Sequence, residues 1–263
     1  MARKYYAGEA SHFLLHHNIY DLVRSGAEYI SLPNYLQREL IGSKYLVTYN
    51  RSEGIRFGSS EAERAFQAQR RVADPLLSRD RMSQLPREPA GALSLIEQFL
   101  LSGDQVAVLI NFLETIIPAG EVSYMSGDDR TNLVALQRWI TSSRLLKKDN
   151  IVILIAESQA DIHPRIRENS RLVSIEVPYP DDQERLEFIG YMRSQTPALK
   201  MEVTDDQLAL MTSGLNRVHL TSLIKGAASE PEGITLEKIK QKKKELNDEE
   251  NCVGVSASNI VRS

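Results

Sequence analysis

The chain has 263 residues, of which 42% are hydrophobic and 25% are charged, and its formal net charge at pH 7 is −3. This composition is typical of a globular protein with one large or two small domains, and the charge excludes a global attraction to nucleic acid or anionic membranes. The single cysteine, Cys252, excludes a disulfide framework, and no apolar run is long enough for a signal peptide or a membrane span. We therefore expect a cytoplasmic protein.

Strands and helices are predicted to alternate over the first 180 residues. Five apolar or β-branched segments have the length of buried strands; they lie at residues 13–19, 44–50, 106–112, 151–157 and 172–177. Helices are predicted between them, at residues 32–41, 59–72, 90–101 and 131–146, and residues 20–31 are predicted to be a polar connection. Such alternation predicts a mainly parallel sheet with helices on both faces.

The last part of the chain is predicted to be helical throughout. Pro178 and Pro180 interrupt the exit from the fifth strand, and Asp181 and Asp182 then supply an acidic first turn for a helix. Further helices are predicted at 205–213, 217–225 and 235–247, and the last of these is rich in lysine. We therefore expect an α/β core over 1–180, a helical lid over 181–247 and a tail over 248–263.

The stretch at residues 150–191 combines its features in a distinctive order, NIVILIAESQADIHPRIRENSRLVSIEVPYPDDQERLEFIGY. A buried strand ends at the polar Ser158, and a segment with three arginines, a second strand, a proline break and an acidic-capped helix follow. This order resembles the second half of an AAA+ ATPase core, which contains sensor 1, the arginine-finger region, the last core strand and the entry to the lid. The resemblance implies a P-loop NTPase-like fold with a five-stranded parallel sheet in the order 5-1-4-3-2, followed by a helical lid.

Four landmarks narrow this resemblance to the degenerate N-terminal ATPase-like domain of a bacterial and plastid AAA+ group. They are the turn TYNRSEGI, the segment VAVLINFLE after a helix, the strand end ILIAES and the lid entry VPYPDDQER. In that group an ordinary AAA+ ATPase domain follows the degenerate one in the same chain. This sequence ends in ENCVGVSASNIVRS, which leaves open a fragment, a truncated gene or a stand-alone relative.

A phosphate-binding loop is expected near the start of the sheet, but its signature is missing. In P-loop NTPases the loop ends in Gly-Lys-Ser or Gly-Lys-Thr, whose N–H groups, lysine and hydroxyl hold phosphate and Mg²⁺, and neither tripeptide occurs here. The two candidates are HHNIYDLVRSGAEYIS after the first strand and NRSEGIRFGSSEAERAF after the second, and strand counting favours the first. Asn18, Asp21 and Gly26 of that segment are therefore the predicted contacts to ATP, the nucleotide that the resemblance implies.

The third strand is expected to end in the Asp-Glu pair of a Walker B site, in which the Asp holds Mg²⁺ and the Glu orients the attacking water. It ends instead in INFLE, so that Asn111 takes the place of the Asp and Glu114 lies three residues further on. A neutral amide is a weak Mg²⁺ ligand beside a carboxylate. We therefore predict an eroded Walker B-like pair, Asn111 and Glu114, and expect no bound metal.

Three further residues are implied by the resemblance to face a nucleotide. Ser158 corresponds to sensor 1, Arg217 in SGLNR corresponds to the sensor 2 of the lid, and Arg171 corresponds to the arginine finger. An arginine finger reaches the ATP site of the neighbouring subunit, and Arg171 is closer to the fifth strand than Arg165 and Arg167 are. The alternative interpretations are a strand-end serine, a solvated arginine cluster and a helix-terminal arginine bound to a local acid.

Three functions compete. A pseudo-ATPase that assembles with AAA+ domains or with itself and regulates them is favoured, because an intact frame surrounds eroded catalytic positions. The first alternative is an active AAA+ ATPase with a divergent phosphate loop, which Glu114, Arg171 and Arg217 would support. The second is a nucleic-acid-binding protein, because KIKQKKKEL carries five lysines. Acidic residues on the same helix favour a solvated surface instead, so neither nucleic acid nor a membrane is an expected partner.

Overall fold

The structure is a computed structural model that describes residues 1–76, 84–146, 148–197, 199–230 and 232–245. The chain divides into two compact units. The first unit consists of Met1–Ile19 and Val23–Val177, and the second consists of Tyr20–Leu22 and the described residues from Pro178 onward. The predicted tail at 248–263, with Cys252, lies outside the described residues.

Strands and helices alternate up to residue 177. The strands are β1 (His12–His17), β2 (Leu22–Ser25), β3 (Glu28–Ser31), β4 (Tyr45–Asn50), β5 (Gly54–Phe57), β6 (Val106–Ile110), β7 (Ile151–Ile155) and β8 (Val173–Val177). The helices are α1 (Ala2–Tyr6), α2 (Leu32–Leu36), α3 (Ser60–Ala73), α4 (Pro89–Ser102), α5 (Gly127–Thr141), α6 (Ser143–Leu146) and α7 (Pro164–Arg167). A π-helical turn, Gln37–Ile41, continues α2, and 3₁₀ turns lie at Leu113–Thr115 and Gln159–Asp161.

Six strands form one sheet in the order β5-β4-β6-β7-β1-β8, and β2 pairs with β3 in a separate two-stranded sheet. The strands β8, β1, β7, β6 and β4 are parallel to one another, whereas β5 is antiparallel to β4. The sheet therefore differs in strand count and in full order from the predicted five-stranded 5-1-4-3-2 arrangement. The difference arises because Gly54, with a φ of +74°, turns the chain back so that β5 adds an edge strand.

Alternate residues of the strands pack on the two faces of the sheet, as the period of a strand requires. One face carries Val108 and packs against a cluster that contains Phe66 of α3 and Trp139 of α5. The other face carries Leu109 and packs against a cluster that contains Leu36 of α2. Trp139 is completely buried, so α5 packs against the core with an apolar face.

The second unit is helical, as predicted. Its helices are α8 (Asp182–Gln195), α9 (Asp205–Met211), α10 (Arg217–Ala228) and α11, which is described over residues 236–245. Asp181, Thr204 and Asn216 each accept a backbone N–H at the start of a helix, which satisfies donors that the helix leaves unpaired. Within the described part of the chain, no helix is long and apolar enough to cross a membrane.

Candidate functional site at the strand ends and in the helical unit

Parallel strands bring the residues that follow them to the same edge of the sheet, where ligands of α/β proteins usually bind. The predicted site residues after β1, β6 and β7 lie at this edge, because these strands are neighbours in the order β6-β7-β1. They are Asn18, Asn111, Glu114 and Ser158. The other predicted residues are distributed between the β2–β3 hairpin, the segment before β8 and the second unit.

The chain after β1 does not lead directly into a helix. It forms the hairpin of β2 and β3, and Gly26 adopts a φ of +63° in the turn between them. Helix α2 begins only at Leu32, and Pro33 in its first turn has no N–H group to donate. Phosphate loops use successive N–H groups at a helix N-terminus, and in α2 Pro33 removes one of these groups.

Asn18 and Asp21 are buried residues of the connection between β1 and the hairpin. The backbone N–H of Asn18 donates to the carbonyl oxygen of Val177 at 3.3 Å. The carboxylate of Asp21 accepts the backbone N–H groups of Arg217 and Val218 at 2.7 and 3.2 Å, and all three residues belong to the second unit. Asp21 therefore caps the N-terminus of α10 with a negative charge. A phosphate-binding loop at the same place in the chain would instead offer N–H donors to an anion.

Asn111 and Glu114 follow β6 through a sharp turn. The N–H of Asn111 donates to the carbonyl of Tyr49 at 3.0 Å, and Phe112 then adopts a left-handed conformation with a φ of 55°. This turn starts the 3₁₀ segment that contains Glu114. One carboxylate oxygen of Glu114, Oε2, is buried and has no hydrogen-bond partner in the described structure.

Burial raises the pKa of the Glu114 carboxyl group above its usual range. Backbone N–H groups of Glu114 and Glu157 lower this pKa, whereas the negative charges of Glu157 and Asp161 raise it further. The raised pKa extends the pH range over which this carboxyl group holds a proton. Among the residues that the structure describes, no group of three or more His, Cys, Asp or Glu side chains is arranged to hold a metal ion.

Ser158 caps the 3₁₀ turn after β7. Its hydroxyl oxygen accepts the N–H of Ala160 at 3.1 Å. The turn is tied to the loop after β6, because Ala119 donates its N–H to the carbonyl of Asp161 at 2.7 Å and His163 donates its N–H to that of Ile117 at 3.1 Å. The sensor 1-like serine therefore serves the local backbone in this structure.

The three arginines before β8 have different surroundings. Arg171 donates from its guanidinium group to the carbonyl of Thr141, the last residue of α5, at 2.7 Å. Arg167 donates to the carbonyl of Ala160 at 3.1 Å. Arg165 is exposed, and no partner of its guanidinium group lies in the described parts of the chain. The arginine with an unengaged side chain is thus Arg165, whereas the sequence singled out Arg171.

His163 holds the short helix α7 that presents Arg165. Its ring is buried, and its Nδ1 atom accepts the N–H of Arg165 at 3.2 Å. Burial lowers the pKa of His163, and the positive charges of Arg165 and Arg167 lower it further. A neutral His163 can accept this N–H, so its environment supports the backbone conformation at Arg165.

Arg217 is bound by acids on two sides within the second unit. Its guanidinium group lies 3.3 Å from the Asp21 carboxylate and 3.2 Å from the Glu184 carboxylate, and it also donates to the carbonyl of Leu22 at 3.3 Å. Glu184 in turn accepts the N–H of Asp181 at 3.2 Å. The sensor 2-like arginine therefore sits in a network of the chain's own acids, which is the alternative that its helix-terminal position suggested.

A parallel α/β unit followed by a helical unit, with polar residues after the central strands, is the architecture of an AAA+ module. Residues 1–178 match the family model for the N-terminal Rossmann-like domain of AAA+ chaperones, and residues 183–251 match the model for their second helical domain. The chain therefore belongs to the AAA+ chaperone family. A search of curated proteins found no match to the sequence.

Proposed function

We propose that the chain is a pseudo-ATPase: an AAA+ module that hydrolyses ATP slowly or not at all and serves as an assembly or regulatory domain for AAA+ partners or for copies of itself. The observation that carries the proposal is the segment after β1. It forms a hairpin and directs the carboxylate of Asp21 to the N-terminus of α10, where it also pairs with Arg217.

Electrostatics supports this proposal at each catalytic position. Phosphoryl transfer needs a lysine on the β- and γ-phosphates, a carboxylate that holds Mg²⁺ and a group that orients water. The segment around Gly26 offers no lysine, and Asn111 is neutral. Glu114 would have to be ionised to orient or deprotonate water, and the burial that raises its pKa opposes this ionisation. Weak nucleotide contact through backbone N–H groups would not restore these functions.

The regulatory part of the proposal rests on the arginines before β8. A guanidinium group that reaches a neighbouring subunit can stabilise the charge on a γ-phosphate in trans. Arg165 is exposed and has no partner among the described residues, whereas Arg171 is exposed but donates to the C-terminus of α5. We assign the role in trans to Arg165 first and to Arg171 second.

Phosphate release tests the proposal, first with the purified chain alone and then with an AAA+ ATPase that co-purifies with the tagged chain. Alone, the chain should release phosphate at background rate. With the partner, Arg165→Ala should lower turnover at the sites it faces by about 10³-fold, the usual effect of losing an arginine finger. Arg64→Ala, which removes an exposed arginine of α3, serves as the matched control.

The competing function, an active ATPase with a divergent phosphate loop, predicts a different result. Magnesium-dependent turnover by the chain alone at about 1 s⁻¹, the low end of ordinary enzyme rates, would contradict the pseudo-ATPase if Glu114→Gln abolished it. If neither Arg165→Ala nor Arg171→Ala changed the phosphate release of the partner ATPase, the proposed role in trans would be wrong. The proposal that the chain itself hydrolyses little or no ATP would be unaffected.

A further inference from the structure

The second unit contains a buried ion pair whose chemistry resembles that of a bound phosphate. Asp21 is 2% exposed and Arg217 is 9% exposed. The two residues are 196 positions apart in the sequence and meet through one guanidinium contact of 3.3 Å and one backbone hydrogen bond of 2.7 Å. Burying two charges is costly unless each is well paired, so this contact constrains the segment at residues 20–22 strongly.

The donors around the Asp21 carboxylate are those that oxyanion sites use. Two of them are N–H groups in the first turn of α10, a helix of 12 residues, and the third is a guanidinium group. The N-terminus of a helix carries a partial positive charge, and its free N–H groups point toward an anion. Arg217 adds a full charge, and hydrogen bonds to ionised groups are shorter and stronger than neutral ones.

We propose that Asp21 is an internal anion that takes the place of a phosphate-type oxyanion in the second unit. Because its carboxylate is part of the chain, its effective concentration at the site is of millimolar order or higher, and it excludes free phosphate groups of similar concentration. Arg217 and the N-terminus of α10 are thereby satisfied without nucleotide. The inference rests on the proposed function only in naming phosphate as the group that is replaced.

Removing the carboxylate should open an anion site that the wild-type chain lacks. The experiment compares the unfolding temperature of the full chain in about 10 mM inorganic phosphate and in potassium chloride of equal ionic strength. Phosphate should leave the wild type unchanged and should raise the unfolding temperature of Asp21→Ala by about 2–4 °C. The double variant Asp21→Ala/Arg217→Ala should lose this response, because the guanidinium group is gone.

Glu184→Gln is the matched control, because it removes the other acid beside Arg217 but leaves the N-terminus of α10 capped by Asp21. It should show no response to phosphate. If Asp21→Ala fails to fold, Asp21→Asn keeps the volume without the charge and decides by the same criterion. A wild-type response equal to that of the variant, a response of Glu184→Gln, or no response in either Asp21 variant would overturn the inference. The unfolding measurements need neither ATP hydrolysis nor a partner protein. The phosphate-release assays can therefore contradict the proposed function without contradicting this inference, and the reverse also holds.

Discussion

The helical unit and the carboxyl edge of the sheet treat their charged groups in opposite ways. In the helical unit Arg217 has acids on both sides, and Asp21 is enclosed by the donors that it binds. At the strand ends Glu114 keeps a buried oxygen without a hydrogen bond, and the guanidinium group of Arg165 has no partner in the described structure. The sequence resemblance to AAA+ modules predicts nucleotide contacts in both regions.

This difference separates charged groups that are paired within the fold from groups that remain available to a ligand. A charge that is neutralised within its own chain stabilises the fold and has little interaction left for another molecule. A charge or a buried oxygen without a partner in its own chain can still gain interaction free energy by binding a proton, a nucleotide or a neighbouring subunit. The comparison therefore predicts that substitutions in the helical network change stability, whereas those at the strand ends change ionisation or activity in trans.

The largest effect is expected when the helical network loses its cation. Arg217→Ala leaves the buried Asp21 carboxylate and the adjacent Glu184 without their guanidinium partner, and removing one partner of a buried pair costs about 3–5 kcal/mol. Urea unfolding of the full chain measures this loss. Arg193→Ala breaks the exposed pair with Asp205 and should cost no more than about 1 kcal/mol. Equal losses in the two variants would contradict the structural role of Arg217.

A somewhat smaller effect is expected from His12 at the amino end of β1. Burial lowers the pKa of His12 to about 4, and its Nε2 atom has no partner in the described structure. The unfolded chain binds this proton at a pKa of about 6.5, so protons favour unfolding. The stability contributed by a neutral His12 is complete above pH 6.5 and is lost as the pH falls toward 4.

Unfolding free energies at several pH values measure this contribution. Between pH 6.5 and 4 the wild type should lose about 3 kcal/mol more than His12→Gln, by linkage over the shift in pKa. His17→Gln, which changes a partly exposed histidine at the other end of the same strand, is the control and should follow the wild type. An identical pH profile for wild type and His12→Gln would show that His12 does not titrate with this displaced pKa.

Much of the fold follows from local patterns in the sequence, because buried strands and amphipathic helices have distinct periods. The strand β6, for example, is one unbroken apolar run, VAVLI. The hairpin of β2 and β3 did not emerge from the sequence, because LVRS and EYIS are four residues each and neither is long enough to show a period. The edge strand β5 was not predicted for the same reason, because it also has only four residues. Gly54, the glycine at its turn, is nevertheless part of the sequence landmark TYNRSEGI.

The site was less predictable than the fold, since it depends on contacts between distant residues. Asp21 and Arg217 were both candidates, but their pairing over 196 positions has no local signal. Arg171 was favoured over Arg165 because it lies nearer to β8 in the sequence. Its bond to the carbonyl of Thr141, at the end of a helix 30 residues away, could not be read from that spacing. Sequence gives the residue types of such a site, whereas their partners need the fold.

The smallest effect is expected at the strand ends, from Glu114. Burial raises its pKa, so the folded chain binds a proton that the unfolded chain has already released, and stability falls as the pH rises from the unfolded pKa of about 4.5 through the folded one. Glu114→Gln removes this penalty and should be more stable than the wild type at pH 8, and equal to it at pH 4. Because the side chain is only half-buried and solvent screens its charge, the gain should stay below about 1 kcal/mol.

Urea unfolding at the two pH values measures the gain in stability, with Glu121→Gln in the exposed loop after β6 as the control. A loss of stability in Glu114→Gln at pH 8 would mean that hydrogen bonds to the ionised carboxylate outweigh the cost of its burial. The contrast between the strand ends and the helical unit would then fail at this residue.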